Sequence, residues 1–378
     1  MFDYETIRVI WWVAIGVVAV AFSITEGFDF GVCALLRILG ITDDERRVII
    51  NAVGGTWEGN QVWLVLLGGA VFAIWPPVYA TLFSGLYAAM MLVLFALFLR
   101  PTGFDYRSKL ENPVWRDAWD WALSIGGGLP PILLGVLVGN LLLGLPFHLE
   151  DDLRPVYEGS FWGLLSPFAL LCGVTGLVLM ILHGALFLQL RTESDMNART
   201  RQVVRITAPL LLVLLTVAAL WLLQMDRPEI TQMAGTGAPS NPLHKTVAAR
   251  GASWMEHFMN YPWMLTAPSL AITGFMAAWW MGQRGKAVSG FIASSVGIAG
   301  LLFTLGFGLF PFLLISSTQP GSSLTLWDAS SSRFTLLLSF WITAIFLPIV
   351  LAYTQWVYRV LWGKITPASI RANDHTLY

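Results

Sequence analysis

Residues 9–25, VIWWVAIGVVAVAFSIT, carry no charge, and they lie between Arg8 and the acids of Glu26-Gly27-Phe28-Asp29. A helix rises about 1.5 Å per residue, and about 20 apolar residues cross roughly 30 Å of hydrocarbon. The stretch therefore reads as a transmembrane helix that carries Glu26 about 27 Å from Arg8. Runs of similar length lie near 8–28, 59–75, 78–99, 121–146, 161–190, 206–224, 259–282, 287–316 and 335–362. The prediction is an all-α integral membrane protein with nine transmembrane helices. Trp75-Pro76-Pro77 marks a tight turn between the second and third, and Pro130-Pro131 predicts a kink in the fourth.

Composition agrees. Of 378 residues, 56% are hydrophobic and 12% charged, against roughly a quarter charged in a soluble domain. Mean hydropathy is +0.67. The net charge of −1 excludes the basic excess of a nucleic-acid-binding protein, and 18 Trp suit the headgroup level of a bilayer. The N-terminus does not read as a cleavable signal, because Asp3 and Glu5 precede a lone Arg8 and the apolar run is long enough to span. Cys33 and Cys172 have no paired spacing and read as small hydrophobes.

Nine spans put the termini on opposite sides. Of 22 Lys and Arg, 6 fall on the N-terminal side and 16, including Arg371, on the other. The positive-inside rule then places the N-terminus outside and the C-terminus in the cytoplasm. The chain divides into residues 1–146 with helices one to four, and 147–378 with helices five to nine and an ordered outer loop at 225–258 containing GTGAPSNPL.

Acids near hydrocarbon carry the chemical information, since each costs roughly 2.5–3.5 kcal/mol at a helix centre. Glu26 and Asp29 are three residues apart and share a helix face near the inner end of the first span. The second span begins on that side with Trp57-Glu58-Gly59-Asn60-Gln61. Either these three carboxylates form a mouth for proton uptake from the cytoplasm, or they are solvated helix-end charges, or they are paired with Arg37, Arg46 or Arg47 nearby. Glu58 is the strongest candidate, because an unbroken apolar run follows it.

Histidine is scarce. His148, His244 and His257 fall in outer loops or at a span edge, and His375 lies near the C-terminus. Only His183, in the fifth span, is placed to ligate haem, and no other span supplies a second histidine. Asn140 reads as interhelical hydrogen bonding, and Phe104-Asp105-Tyr106-Arg107 and Trp327-Asp328-Ala329-Ser330 as interface anchors. A secondary transporter and a self-contained b-type cytochrome using His183 are the rival readings. The acids cluster at one face without a matching second half, which disfavours the transporter.

Seven segments together resemble one family: MFDYETIRVIWW (1–12), ITEGFDFG (24–31), NAVGGTWEGNQVWL (51–64), FLRPTGFDYRSK (98–109), GNLLLGLPF (139–147), SNPL (240–243) and SSLTLWDASSS (322–332). The chain is similar to subunit II of the cytochrome bd-type quinol oxidases. That resemblance implies two four-helix bundles plus one additional helix, a similarly folded haem-bearing subunit I, and a small single-helix subunit. It implies a complex in the bacterial inner membrane that oxidises quinol and reduces O2 to water. Two b haems and one d haem belong to subunit I, leaving this chain no firm cofactor beyond a structural quinone or lipid. By the same resemblance, the proton path falls on Glu58, Asp29 and Glu26, where many relatives carry Asp for Glu58.

Overall fold

The computed structural model describes residues 2–366, 368 and 370; Met1, Arg371 and His375 lie outside the described residues. Twelve helices and three short two-stranded sheets follow in the order α1 (Tyr4–Leu39), α2 (Asp43–Gly54), α3 (Trp57–Ile74), α4 (Pro76–Gly85), α5 (Tyr87–Arg107), α6 (Pro113–Leu143), β1 (Phe147–Leu149), β2 (Pro155–Tyr157), α7 (Pro167–Arg191) and α8 (Ser194–Leu222). Then come β3 (Asp226–Met233), β4 (Lys245–Ser253), α9 (Glu256–Asn260), α10 (Thr266–Gln283), α11 (Ala287–Leu309), β5 (Phe312–Leu314), β6 (Leu324–Thr325) and α12 (Arg333–Val360).

Eight helices among the described residues are long and apolar enough to cross a membrane. The expected second span is α3, an 18-residue helix whose first turn, with Glu58, Asn60 and Gln61, dilutes its apolar run. The expected third span is divided into α4 and α5 at Gly85, where the Tyr157 ring fills the space a side chain would need. Backbone bonds from Leu86 N to Leu82 O (2.9 Å) and Met90 N to Leu86 O (2.8 Å) carry the helical path across that break. Pro130 and Pro131 both lie inside α6, which continues through them as one element.

Two expected boundaries fall short. The first span was placed at 8–28, yet α1 continues to Leu39, because Phe30-Gly31-Val32-Cys33-Ala34-Leu35-Leu36 extends the apolar helical run. The third was ended at 99, yet α5 continues through Pro101 to Arg107. Val93, Leu97, Arg100, Phe104 and Arg107 are buried at helical spacing, so a single inward face runs past the proline.

Helix α1 is the axis of the packing: it touches α3, α6, α7, α11 and α12. Around it, α7, α8, α10 and α11 contact one another, α5 packs on α6, and α6 on α7. The principal core joins Phe28, Val32 and Leu36 of α1 to Leu182, Leu186 and Phe187 of α7 and Phe275 and Ala278 of α10. Apolar lipid gives no hydrophobic drive to helix pairing, so close van der Waals approach must supply it. The crossing of α1 and α7 is glycine on glycine. A Cβ on Gly31 would run into the Met180 carbonyl, and one on Gly184 would sit 2.5 Å from the Gly31 carbonyl carbon.

At the end where the chain begins, the 226–253 segment forms the β3–β4 antiparallel hairpin. Arg8 is fully buried beneath it, donating from Nη1 to Thr236 O (2.6 Å) and from Nη2 to Ala238 O (3.1 Å) and Ser240 Oγ (2.8 Å). Lys245 Nζ meets Asp328 Oδ2 at 3.0 Å, and Tyr4 Oη donates to Ser331 O at 2.7 Å. The segments SNPL and SSLTLWDASSS are thus parts of one latch over the N-terminal end of α1. Burial lowers the Lys245 ammonium pKa, and the Asp328 carboxylate opposes that shift.

At the opposite end, Thr42 and Glu45 close a capping box on α2, and Glu45 is paired with Arg199 of α8. That pairing and the Ile41 and Thr42 amides hold the Glu45 carboxyl below its ordinary range. The stability this gives is complete above the usual glutamate pKa of about 4.3. It is lost as pH falls through the lower folded value. Between pH 5 and about pH 3 the unfolding midpoint of the detergent-solubilised protein is expected to fall less steeply for Glu45→Gln than for the parent. Gly31→Val is expected to destabilise by about 3 kcal/mol, since backbone blocks its Cβ; thermal unfolding followed by near-UV circular dichroism measures it, and an unchanged midpoint would contradict the glycine seam.

Candidate functional site

Glu26 and Asp29 lie roughly two-thirds of the way along α1, not at its end, and both are fully buried. Glu26 Oε1 accepts from Arg100 Nη1 of α5 at 2.5 Å, with both side chains sealed from solvent. The guanidinium also sits 4.8 Å from the centroid of the Phe30 ring, one turn along α1. Asp29 Oδ2 accepts from Asn60 Nδ2 of α3 (2.7 Å), and Asn60 Oδ1 in turn accepts from Tyr358 Oη of α12 (2.7 Å). Four helices therefore meet at two acids.

Glu26 Oε2 and Asp29 Oδ1 are buried without a hydrogen-bond partner among the described residues. A buried polar atom ordinarily finds a partner, so these two carry chemical meaning. Two carboxyl groups face one guanidinium, which leaves one protonatable position that the cation does not neutralise. Such a cluster, sealed from solvent, has the chemistry to hold and release a proton.

One alternative to a proton mouth pairs these acids with Arg37, Arg46 or Arg47. Arg37 instead pairs with Asp117, and Arg46 Nη1 lies 2.8 Å from Asp120 Oδ2. Asp120, fully buried on α6, also takes Arg107 Nε at 2.5 Å, and Arg107 Nη2 reaches Asp43 Oδ1 at 2.8 Å. This second network ties α1, α2, α5 and α6 together, and Arg107 is no loop anchor but a buried cation. Arg100, at the edge of the apolar run that ends near 99, reads locally as one more inner-side charge. The heptad spacing of Leu97, Arg100, Phe104 and Arg107 was the signal that could have revealed it.

Glu58 stands apart. It is exposed in the first turn of α3, two residues before Asn60, and makes no hydrogen bond or ion pair among the described residues. The structure thus gathers Glu26 and Asp29 with Arg100, Asn60 and Tyr358, and leaves Glu58 on the surface beside them.

His183 is fully buried on α7. Nε2 faces Ile24 O at 3.0 Å and Nδ1 faces Ser294 Oγ at 2.7 Å. A carbonyl only accepts, so Nε2 carries the proton and Nδ1 is left as an acceptor, facing a serine hydroxyl whose one proton is shared between Nδ1 and Phe291 O at 2.8 Å. The ring also stacks on Phe291 at 4.6 Å. Both nitrogens are committed and one face is covered, so His183 does not fit a haem axial ligand. No group of three metal-ligating side chains occurs among the described residues. Asn140 donates to Leu164 O and Val136 O, each at 2.8 Å, which joins α6 to the segment before α7.

The family model described as cytochrome bd terminal oxidase subunit II matches residues 7–361. The chain is 44% identical over 379 residues to the cytochrome bd-I ubiquinol oxidase subunit 2 of Escherichia coli (strain K12), covering 100% of each chain. It is 43% identical over 378 residues to the probable cytochrome oxidase subunit 2 of Haemophilus influenzae, again covering both chains fully. A chain of the bd oxidase from Geobacillus thermodenitrificans shares the fold with a TM-score of 0.70, at 17% identity and over 94% of this chain and 98% of that one. Full-length identity to curated relatives and a family model spanning nearly every helix lead to one conclusion: this chain belongs to the cytochrome bd terminal oxidase subunit II family.

Proposed function

We propose that this chain is the subunit II of a quinol oxidase in a bacterial inner membrane, where it supports a haem-bearing subunit I and supplies protons for the reduction of O2 to water. Two b haems and one d haem then reside in subunit I, with quinol oxidised near the outer face, and a small single-helix subunit completes the complex. In this reading α3 counts as a span, the helices number nine, and the N-terminus faces out. Helices α1, α3, α4–α5 and α6 form one four-helix bundle in residues 1–146. In residues 147–378, α7, α8, α10 and α11 form the other, with α12 as the additional helix.

The observation that carries the proposal is the buried acid pair on α1, with one carboxylate oxygen on each of Glu26 and Asp29 unpartnered. An inert subunit has no reason to bury two acids against one cation, since each uncompensated charge is costly in hydrocarbon. Asn60 links this pair to the first turn of α3, where Glu58 faces outward. Only 6% of the most apolar stretch of α12 is buried within the chain, so α12 offers a broad face beside α3 to a partner. Glu58 takes cytoplasmic protons at that face, and Asp29 and Glu26 hold and return them. The acids thus deliver protons across the subunit boundary toward the haem site. Moving one charge through 100 mV is worth about 2.3 kcal/mol, so uptake from the cytoplasm conserves energy without a separate pump.

Affinity purification of this chain in mild detergent, followed by a reduced-minus-oxidised spectrum, is expected to bring down a larger partner with b- and d-type bands. A colourless, solitary chain would refute the oxidase reading. Within the assembled complex, Glu58→Gln is expected to lower turnover and proton uptake about tenfold or more with haem content unchanged. Asp29→Asn, which keeps shape and removes the titrating group, is expected to act in the same direction. Full turnover in both variants, with haem intact, would remove the acids from the path.

A further inference from the structure

A cavity of about 470 Å³ opens where the end of α7, the α2–α3 turn and the end of α12 come together. Its polar lining includes Arg191 and Tyr358, and its apolar walls include Phe187, Leu361 and Trp362. Arg191, the last residue of α7, is 8% exposed. Its Nη1 donates to Leu361 O at 2.9 Å, at the C-terminal end of α12, while Nε is buried without a partner. No carboxylate pairs with it among the described residues, and Glu193 nearby is engaged with Lys364 at 3.5 Å.

A single carbonyl and the partial negative charge of a helix end, about half an elementary charge, do not neutralise a guanidinium with five donors. A cation this deeply buried needs an anion, and the cavity it lines has room for one. The cavity sits where two membrane-crossing helices end, which is the headgroup level, and Trp362 stands exposed at its rim. The apolar walls, Phe187, Leu361 and Trp362, lie between Arg191 and the end of α12. That combination suits an amphiphile, with phosphate at the guanidinium and acyl chains along Phe187 and Leu361, better than a free inorganic anion.

We propose that Arg191 and this cavity form a binding site for an anionic phospholipid, the phosphodiester contacting the Arg191 guanidinium. The site depends on membrane embedding and on no step of the oxidase reaction. Basic pockets between transmembrane helices are suited to anionic headgroups in this way.

The whole complex, purified in mild detergent from its native membrane, is to be examined by native mass spectrometry, with added phosphatidylglycerol and with added phosphatidylethanolamine. Phosphatidylglycerol is expected to remain bound to the parent complex and to fall about fivefold or more in occupancy in Arg191→Gln. Millimolar inorganic phosphate is expected not to displace it. Ile365→Trp keeps the cation and fills the cavity from its edge, so it too is expected to lose the lipid. Haem content reports assembly independently, so a lost lipid is distinguishable from a lost complex. Equal lipid occupancy in the parent and in either assembled variant would overturn the proposal. Equal retention of the zwitterionic lipid, or displacement by inorganic phosphate, would also overturn it.

Discussion

Glu26 and Arg100 meet at 2.5 Å with no solvent on either side, and the geometry of the first half of the chain follows from that pairing. A buried ion pair gains little against well-packed apolar residues, yet removing one partner leaves a stranded charge that costs about 3–5 kcal/mol. The pair therefore dictates register more than it adds stability. α1 and α5 can slide past one another only by separating it. Asp29 sits on the same face of α1, so fixing Glu26 against α5 also fixes Asp29 against Asn60 of α3 and, through it, Tyr358 of α12. One contact orders the four helices around the acids.

A second constraint acts on the same helix. Where α1 crosses α7, Gly31 and Gly184 let the backbones touch, and His183 beside them bonds to Ile24 O on α1 and Ser294 on α11. The glycines set how near the helices lie, and the imidazole sets their rotation. The histidine that a sequence reader would reserve for haem is thus spent on holding three helices. That explains how a chain with so few membrane histidines still buries one completely.

The membrane character and most helix positions could be read from hydropathy, because about 20 apolar residues in a row have few alternatives. The lengths could not. Hydropathy fades at charges, so the spans predicted over 8–28 and 78–99 break off just past Glu26 and just before Arg100, although both residues lie inside their helices. Each charge is tolerated there because the other is present, and a pairing between residues 74 positions apart leaves no mark in a local window. The acids themselves were visible, and so was their shared face. Their counterion was not. The hairpin at 226–253 was legible only as an ordered loop, because Arg8, Ser240, Lys245 and Asp328 acquire their meaning from contacts across the fold.

Helix α12 differs from its neighbours in kind. The seams inside the chain are cut close by glycine, as at Gly31 with Gly184 and Gly274 with Gly297. α12 has no glycine at all: FTLLLSFWITAIFLPIVLAYTQWVYRV presents bulky side chains to its surroundings. In a bilayer such a surface is equally satisfied by acyl chains or by another protein, since the exchange changes little hydrophobic area. A contact made on such a surface leaves the glycine seams behind it undisturbed.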